Sequence, residues 1–263
     1  MSAHVPVLEV RGITKQFDGF TALGGVSLSL RHGERRALIG PNGAGKTTLF
    51  NLICGRLRPD SGEVRYRGEP IQHLGPHAIC RLGLARTFQI TSVFSHLSPL
   101  QNVQVALFAR HGHSFRLFRR AANTDVEEAK RRLGDVGLGD AASGALAGPS
   151  GLLSYGDQKR LELAIALALR PSVLLLDEPT AGMETGGRRD IVALVRRLCD
   201  EHALTLLFCE HDMDAVFSIA DRITVLHQGR VLTEGTPDEV RGNDEARAVY
   251  LGTSAGGGRG VNR

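Results

Sequence analysis

The chain has 263 residues, of which 42% are hydrophobic and 23% charged, so it is long and apolar enough to bury a substantial globular core. Its 32 basic and 28 acidic residues are mixed along the sequence and leave a net charge of +4, an excess too small to argue for nucleic-acid binding. No apolar run approaches the roughly 20 residues of a membrane-crossing helix, and the first ten residues lack the pattern of a secretory signal, so we expect any membrane role to depend on partner proteins.

The first 55 residues change from a strand pattern to a helix pattern. Alternating segments at Val7–Phe17 and Gly25–Glu34, separated by glycine turns, predict antiparallel strands, and Arg35–Gly40 predicts a buried strand. Apolar residues then recur at the spacing of one helix face until Gly55. These residues are Leu49, Phe50, Leu52 and Ile53. The intervening segment therefore connects a strand to a helix.

That connecting segment has the spacing G-x-x-x-x-G-K-[ST], and we call it the phosphate loop. It consists of Gly40, Pro41, Asn42, Gly43, Ala44, Gly45, Lys46 and Thr47. Its glycines allow backbone N–H groups to wrap around phosphates, and the following helix offers its positive dipole end to the same anion. Lys46 adds a full charge for the β- and γ-phosphates, and the Thr47 hydroxyl is a candidate magnesium ligand. The simpler alternative is a glycine-rich turn with no ligand.

Residues 91–158 predict an inserted helical subdomain. Ser98 and Pro99 open one helix, and Asn123–Leu138 forms a charged amphipathic helix with a glycine-marked end. From Tyr155 onward, helical and strand patterns alternate as in a parallel sheet with crossover helices, which predicts an α/β core. Gly229–Val240 then adds a hairpin-like strand and a proline-started helix. Residues 252–263 have too little apolar content to pack and are expected to be disordered.

Two carboxylates follow the apolar strand Val173–Leu176, and ligand groups cluster at such carboxyl ends in open α/β sheets. Asp177 is placed to hold magnesium, directly or through water, and Glu178 to accept a proton from, or orient, the water that attacks a γ-phosphate. The alternative is a pair of helix-capping residues, because Pro179 and Thr180 follow.

The segment Leu153–Gln158, with the sequence LSYGDQ, lies before that strand and begins an amphipathic helix. It resembles LSGGQ, the signature of ABC ATPases, and we call it the signature segment. Ser154 and Gly156 are kept, whereas Tyr155 replaces a glycine and Asp157 replaces the glutamine. In that family the serine and the following backbone amides bind the γ-phosphate held by a second subunit. The resemblance implies the same contact here, with a dimer that the charge of Asp157 weakens.

Other landmarks of this family occur in the expected order. Gln89 in ARTFQ resembles the Q-loop glutamine, His211 the switch histidine and Phe17 the aromatic residue that stacks on adenine. Taken alone, these would be an ordinary polar residue, a surface or capping residue and a core residue. Glu184 stands where the D-loop usually has an aspartate, which puts communication between two sites in question.

The resemblance covers nearly the whole chain and implies an α/β P-loop NTPase fold with a RecA-like core, an N-terminal antiparallel β subdomain and an inserted helical subdomain. Residues 1–251 would form one ATPase domain, with 1–90 and 159–251 as its nucleotide-binding core and 91–158 as the helical subdomain. It implies an ATPase with ATP and Mg²⁺ as cofactors. The implied catalytic residues are Glu178, His211 and Gln89, and the implied metal ligands are Thr47, Gln89 and Asp177. The implied nucleotide contacts are Phe17, the phosphate loop, Thr48, Ser154 and Gly156.

Finer features indicate one branch of the family, since ARTFQI, LSYGDQKRLELA, DEPTAGM and AVYLG resemble the ATPases of branched-chain amino acid importers. This implies a cytoplasmic subunit, peripheral on the inner face of the cell membrane, that energises import through separate transmembrane permease subunits. A second ATPase subunit, identical or paralogous, would complete a head-to-tail dimer, and a periplasmic or extracellular solute-binding protein would act indirectly. Urea, short amides and aromatic acids are alternative solutes.

Two other functions use the same phosphate loop. A soluble ABC ATPase acting on nucleic acid or ribosomes usually carries coiled-coil insertions or two fused ATPase units, and the sequence has no internal repeat. A small-molecule kinase gives no reason for the signature segment. The stretch His111–Arg120 is either a basic aromatic patch for nucleic acid or membrane, or a solvated helix face. Because the net charge is small and the sequence has no internal repeat, we expect no nucleic-acid partner.

Overall fold

The computed structural model describes residues 5–87, 93–111, 125–139 and 148–251. Its strands, in chain order, are β1 Leu8–Phe17, β2 Phe20–Leu30, β3 Arg35–Ile39, β4 Ser61–Tyr66, β5 Glu69–Pro70, β6 Leu84–Arg86, β7 Val173–Asp177, β8 Thr205–Cys209, β9 Arg222–His227 and β10 Arg230–Gly235. Its helices are α1 Lys46–Ile53, α2 Pro76–Leu82, α3 Pro99–His111, α4 Val126–Asp135, α5 Tyr155–Ala168, α6 Thr185–His202, α7 Met213–Ile219, α8 Pro237–Gly242 and α9 Asp244–Leu251. The chain divides into two compact units, a first unit of Met1–Pro76 with Thr205–Arg263 and a second unit of His77–Leu204.

The first unit contains an antiparallel sheet with the strand order β2-β1-β4-β5. Asp18 and Gly19 join β1 to β2, and both have the positive φ that a two-residue hairpin turn of type I′ requires. β2 begins at Phe20, before the predicted start at Gly25, because the chain passes through Gly25 without forming a turn. The register passes from Ile13 opposite Val26 to Thr14 opposite Gly24, so Gly25 is the extra residue of a bulge.

A second sheet of the first unit has the strand order β10-β9-β3-β8. β3 runs parallel to both of its neighbours, whereas β10 pairs antiparallel with β9. All five residues of β8 are buried, as expected for a parallel strand covered on both faces. The core of this unit therefore surrounds β3, the strand that leads into the phosphate loop.

Two helices of the first unit form where the sequence predicts them. Helix α1 buries the four apolar residues of its predicted face, and Gly55 follows its end with a φ of 69°. Helix α8 begins at Pro237. Thr236 accepts a hydrogen bond from the Glu239 N–H and the Glu239 side chain accepts one from the Thr236 N–H, which is a capping box.

The second unit combines the parallel pair β6 and β7 with helices α3, α4 and α5, which pack against one another. α3 begins at Pro99 as predicted, and Ser98 and Gln101 cap it reciprocally. Asn102, which is 1% exposed, donates to the backbone carbonyls of Phe94 and Leu97 and so fixes the chain before α3. α4 lies within its predicted range.

The alternation of strands and helices confirms the predicted α/β class. The predicted tail at 252–263 lies outside the described residues, and the predicted subdomain boundaries stay predictions. None of the helices in the described ranges is long and apolar enough to cross a membrane.

Candidate functional site

The phosphate loop closes around the side chain of Lys46. It leaves β3 after Ile39 and enters α1 at Lys46. Lys46 Nζ donates hydrogen bonds to the carbonyl oxygen of Gly40 at 2.6 Å and to that of Pro41 at 3.0 Å, and the residue is 8% exposed. Exposed loop residues are Asn42, Gly43 and Thr47. The loop thus exposes its outer turn while holding its cation inside.

The start of α1 suits an anion. Gly45 precedes the helix with a φ of 103°, and the first turn contains no acidic residue that would compete with a bound phosphate. The first N–H groups of an α-helix have no partners within the helix, and these groups and the positive end of the helix dipole both favour negative charge there. Together with Lys46, this end of α1 can hold a phosphate group.

Gly40 is a loop position where a side chain would be excluded. Its φ is 151°, and a Cβ atom there would overlap the Leu226 carbonyl oxygen of β9, whereas a Cβ at Gly43, with a φ of 79°, would meet nothing within 4 Å. Backbone strain is common to both positions, and the overlap is specific to Gly40. We expect Gly40→Ala to weaken ATP binding by about tenfold or more and to lower the melting temperature further than Gly43→Ala. Equal effects of the two changes would contradict this account of loop packing.

Asp177 and Glu178 lie where β7 ends. Asp177 is 5% exposed, and Glu178 is half-buried with a φ of 49°, a left-handed conformation that costs about 1–2 kcal/mol in a residue other than glycine. A turn follows, in which the Ala181 N–H donates to the Glu178 carbonyl, and α6 begins only at Thr185. The two carboxylates therefore do not cap a helix. A buried acid and a more accessible acid stand side by side at the carboxyl end of the strand.

Arg86, which the sequence analysis does not single out, balances the buried charge of Asp177. Its Nη2 lies 2.7 Å from Asp177 Oδ2, and the two side chains are 6% and 3% exposed. Arg86 stands in the ARTFQ motif, but its partner lies far along the chain. Only the pairing of β6 with β7 brings the two together.

A second buried ion pair lies on α5. Lys159 Nζ is 3.2 Å from Glu162 Oε2, and both residues are less than a tenth exposed. Burial raises the pKa of the Glu162 carboxyl above its usual value, and the charge of Lys159 opposes that rise. A cavity of about 10 Å³ is lined by both of these residues and by Thr87 and Asp177.

The signature segment begins α5, with Ser154 as its N-cap residue. Ser154 Oγ accepts a hydrogen bond from the Asp157 N–H at 3.1 Å and donates one to Asp157 Oδ2 at 2.8 Å. Asp157 is thus satisfied within the helix start. The Tyr155 hydroxyl donates to the Ala181 carbonyl at 2.9 Å, so the unusual tyrosine ties α5 to the turn after Glu178.

The other predicted site residues are distributed between the units. Phe17 ends β1, 40% exposed, with Lys15 Nζ 5.4 Å from its ring centre. His211 is exposed and follows β8, the parallel neighbour of β3, so it lies at the same sheet edge as the phosphate loop. Glu184 is the N-cap residue of α6. Gln89 lies outside the described residues.

Thr47 and Asp177 offer the chemistry that Mg²⁺ prefers. A hydroxyl and a carboxylate are hard oxygen donors, and Mg²⁺ in nucleotide sites is held by one or two such groups together with phosphate oxygens. No cluster of three or more His, Cys, Asp or Glu side chains occurs among the residues with described positions. Thr47 in the first unit and Asp177 in the second are therefore each suited, by the chemistry of their oxygens, to a magnesium ion that accompanies a nucleotide.

Two family models match the sequence. The model described as ABC transporter matches residues 23–181, and the model described as branched-chain amino acid ATP-binding cassette transporter matches residues 230–256. The chain is 40% identical to the high-affinity branched-chain amino acid transport ATP-binding protein BraF of Pseudomonas aeruginosa, over 94% of this chain and 98% of that protein. It is 37% identical to the corresponding protein LivG of Escherichia coli, with the same coverage.

Solved structures share the fold. A nucleotide-free ATP-binding cassette from an ABC transporter superposes with a TM-score of 0.81 at 30% identity, covering 93% of this chain and 98% of that one. The ADP conformation of such a cassette gives 0.80 at 30% identity, covering 94% and 99%. A protein of Clostridium perfringens described as part of an ABC transporter complex gives 0.74 at 31% identity, covering 94% and 95%.

Proposed function

The chain belongs to the ABC transporter family as an ATP-binding and hydrolysing subunit, and we propose that it uses ATP to drive import of branched-chain amino acids through separate transmembrane subunits. The observation that carries this proposal is the phosphate loop, which joins β3 to α1 and folds around Lys46. The cargo is supported by the names of two relatives that each cover nearly the whole chain.

Each proposed site residue has a distinct task. Lys46 leaves the Gly40 and Pro41 carbonyls to neutralise phosphate, while Thr47 and Asp177 hold Mg²⁺ with Gln89. Bound magnesium supplies positive charge that stabilises the charge developing on the transferring phosphoryl group. Phe17 stacks on adenine, and Thr48 and the rest of the loop contact phosphate.

The chemical step falls to the residues beside the γ-phosphate. Glu178, at a strand end and more accessible than Asp177, accepts the proton of the attacking water or orients that water. His211, at the sheet edge of the phosphate loop, assists as the switch histidine. Hydrolysis rather than phosphoryl transfer to a second substrate is therefore the reaction proposed here.

The partners follow from the signature segment. Ser154 and Gly156 stand at the N-terminal end of α5, which can hold a phosphate, so they complete the site of a second ATPase subunit in a head-to-tail dimer. Transmembrane permease subunits would place the dimer on the cytoplasmic face of the membrane, and a solute-binding protein would act from the other side. The nucleotide-binding core would consist of residues 1–90 and 159–251, and the helical subdomain of residues 91–158. The alternative of an ATPase acting on nucleic acid or ribosomes is not favoured, because the named relatives are transport proteins.

The reaction is tested by incubating the purified chain with Mg²⁺ and ATP and no phosphoryl acceptor. The proposal requires release of one phosphate for each ATP consumed, and it requires that DNA or RNA leave this rate unchanged. ATP that is consumed only when a second small molecule is added would indicate a kinase instead.

A further inference from the structure

Strand pairing brings Arg86 to the magnesium carboxylate proposed above. Arg86 stands opposite Leu175 in the parallel pair of β6 and β7, and the Thr87 N–H donates to the Leu175 carbonyl at 3.0 Å. Asp177 lies two residues beyond Leu175 and so shares its face of the strand. The Arg86 guanidinium reaches diagonally from one strand to the other, and its Nη2 donates a hydrogen bond to Asp177 Oδ2 at 2.7 Å.

Burial makes this contact strong and its loss costly. Both side chains are less than a tenth exposed, so solvent screens their charges little. Lys159, a buried cation that lines the same small cavity as Asp177, is engaged by Glu162 on its own helix. A buried carboxylate that loses its paired cation is left with an uncompensated charge, which strongly destabilises a folded protein.

We propose that Arg86 is a positioning residue that holds the Asp177 carboxylate and competes with a divalent cation for its charge. The inference rests on the proposed function, because it takes Asp177 as a magnesium carboxylate. A cation that binds Asp177 meets the positive charge of Arg86 a few ångströms away, which weakens its binding. Without Arg86 the repulsion is gone and the unpaired carboxylate gains more from a bound cation, so both effects tighten magnesium binding.

The test measures binding of a fluorescent ATP analogue as the Mg²⁺ concentration is raised. Arg86→Met should reach half-maximal enhancement of binding at about tenfold lower Mg²⁺ than the unchanged chain, since repulsion between nearby charges at an effective dielectric constant near 20 exceeds this factor. Arg86→Lys keeps the charge and should stay within about threefold. Arg170→Met is the matched control, because it removes an arginine that pairs with Glu128 at 2.8 Å in the same unit but is half exposed.

A double change keeps the test decisive if Arg86→Met folds poorly. Asp177→Asn removes the carboxylate charge, so Arg86→Met should lower the melting temperature far less in that background than alone. An unchanged or raised Mg²⁺ requirement in Arg86→Met would overturn the proposal, as would equal losses of melting temperature in the two backgrounds. If the unchanged chain binds no nucleotide with or without Mg²⁺, the proposed function fails as well, whereas normal binding with no effect at Arg86 removes only this inference.

Discussion

Lys46→Ala should weaken ATP binding by about a hundredfold or more. Lys46 is the one charged residue of the phosphate loop, and hydrogen bonds from a charged donor to phosphate contribute about 1.5–3 kcal/mol each. Its Nζ lies inside the loop, held by two carbonyl oxygens, and it exchanges these partners for phosphate oxygens when ATP binds. Equilibrium binding of a fluorescent ATP analogue to the purified chain measures the change.

The matched control is Lys130→Ala, which removes a lysine from the exposed surface of α4, where it pairs with Glu127 at 2.9 Å. This change should leave ATP affinity within about twofold, because exposed ion pairs contribute little. Melting temperatures of both variants separate lost binding from lost folding. Unchanged affinity in a folded Lys46→Ala variant would refute the role given to the loop.

Lys46→Ala also tests the head-to-tail dimer. In a mixed dimer with Lys46→Ala in one subunit and Ser154→Arg in the other, both lesions should fall in one composite site and leave the second intact. Both changes in a single subunit should instead damage both sites. Counting occluded ATP in complexes of defined composition, trapped with Glu178→Gln, compares the two arrangements. Equal counts would contradict the proposed dimer.

Glu178→Gln should lower turnover by about a hundredfold or more while nucleotide affinity stays within a few fold. The amide keeps the shape of the side chain but does not accept a proton as the carboxylate does, and a positioned general base contributes about 10²- to 10⁴-fold. The turn after Glu178 is closed by the backbone hydrogen bond from the Ala181 N–H to the Glu178 carbonyl, which the substitution keeps, so the turn should persist. Single-turnover hydrolysis with excess protein isolates the chemical step.

Glu201→Gln provides the matched control for that prediction, because Glu201 is half exposed on α6 and pairs with Arg197 at 3.2 Å. Its turnover should equal that of the unchanged chain. If Glu178→Gln hydrolyses bound ATP at the unchanged rate, Glu178 is not the catalytic carboxylate and another group must activate the water.

Local sequence patterns were enough to predict the phosphate loop and its flanking elements. The loop's spacing, the apolar face of α1 and the residues that open α3 and α8 all act within a few residues of one another. Gly25 misled the prediction for β2, because a glycine with positive φ fits a turn or a bulge equally well. Which of the two forms depends on the register with β1.

The partners of Asp177 and Tyr155 could not be predicted in the same way. Arg86 pairs with Asp177 and Tyr155 with the Ala181 carbonyl across long sequence separations, and no spacing rule applies to such contacts. Tyr155 was identified as a departure from the signature, but its hydrogen bond depends on how α5 packs beside the turn after β7. The roles of Phe17, Gln89, Ser154 and His211 stay predictions.

If ATP hydrolysis by this chain drives amino acid import, a reconstituted transporter should couple the two. The chain and the membrane subunits that purify with it would be placed in liposomes, with ATP on the side of the chain and labelled leucine on the other, together with the solute-binding protein. We expect leucine accumulation that requires ATP, accompanies phosphate release and disappears with Glu178→Gln. Phosphate release that proceeds in this complex without accumulation of leucine, isoleucine or valine would contradict it.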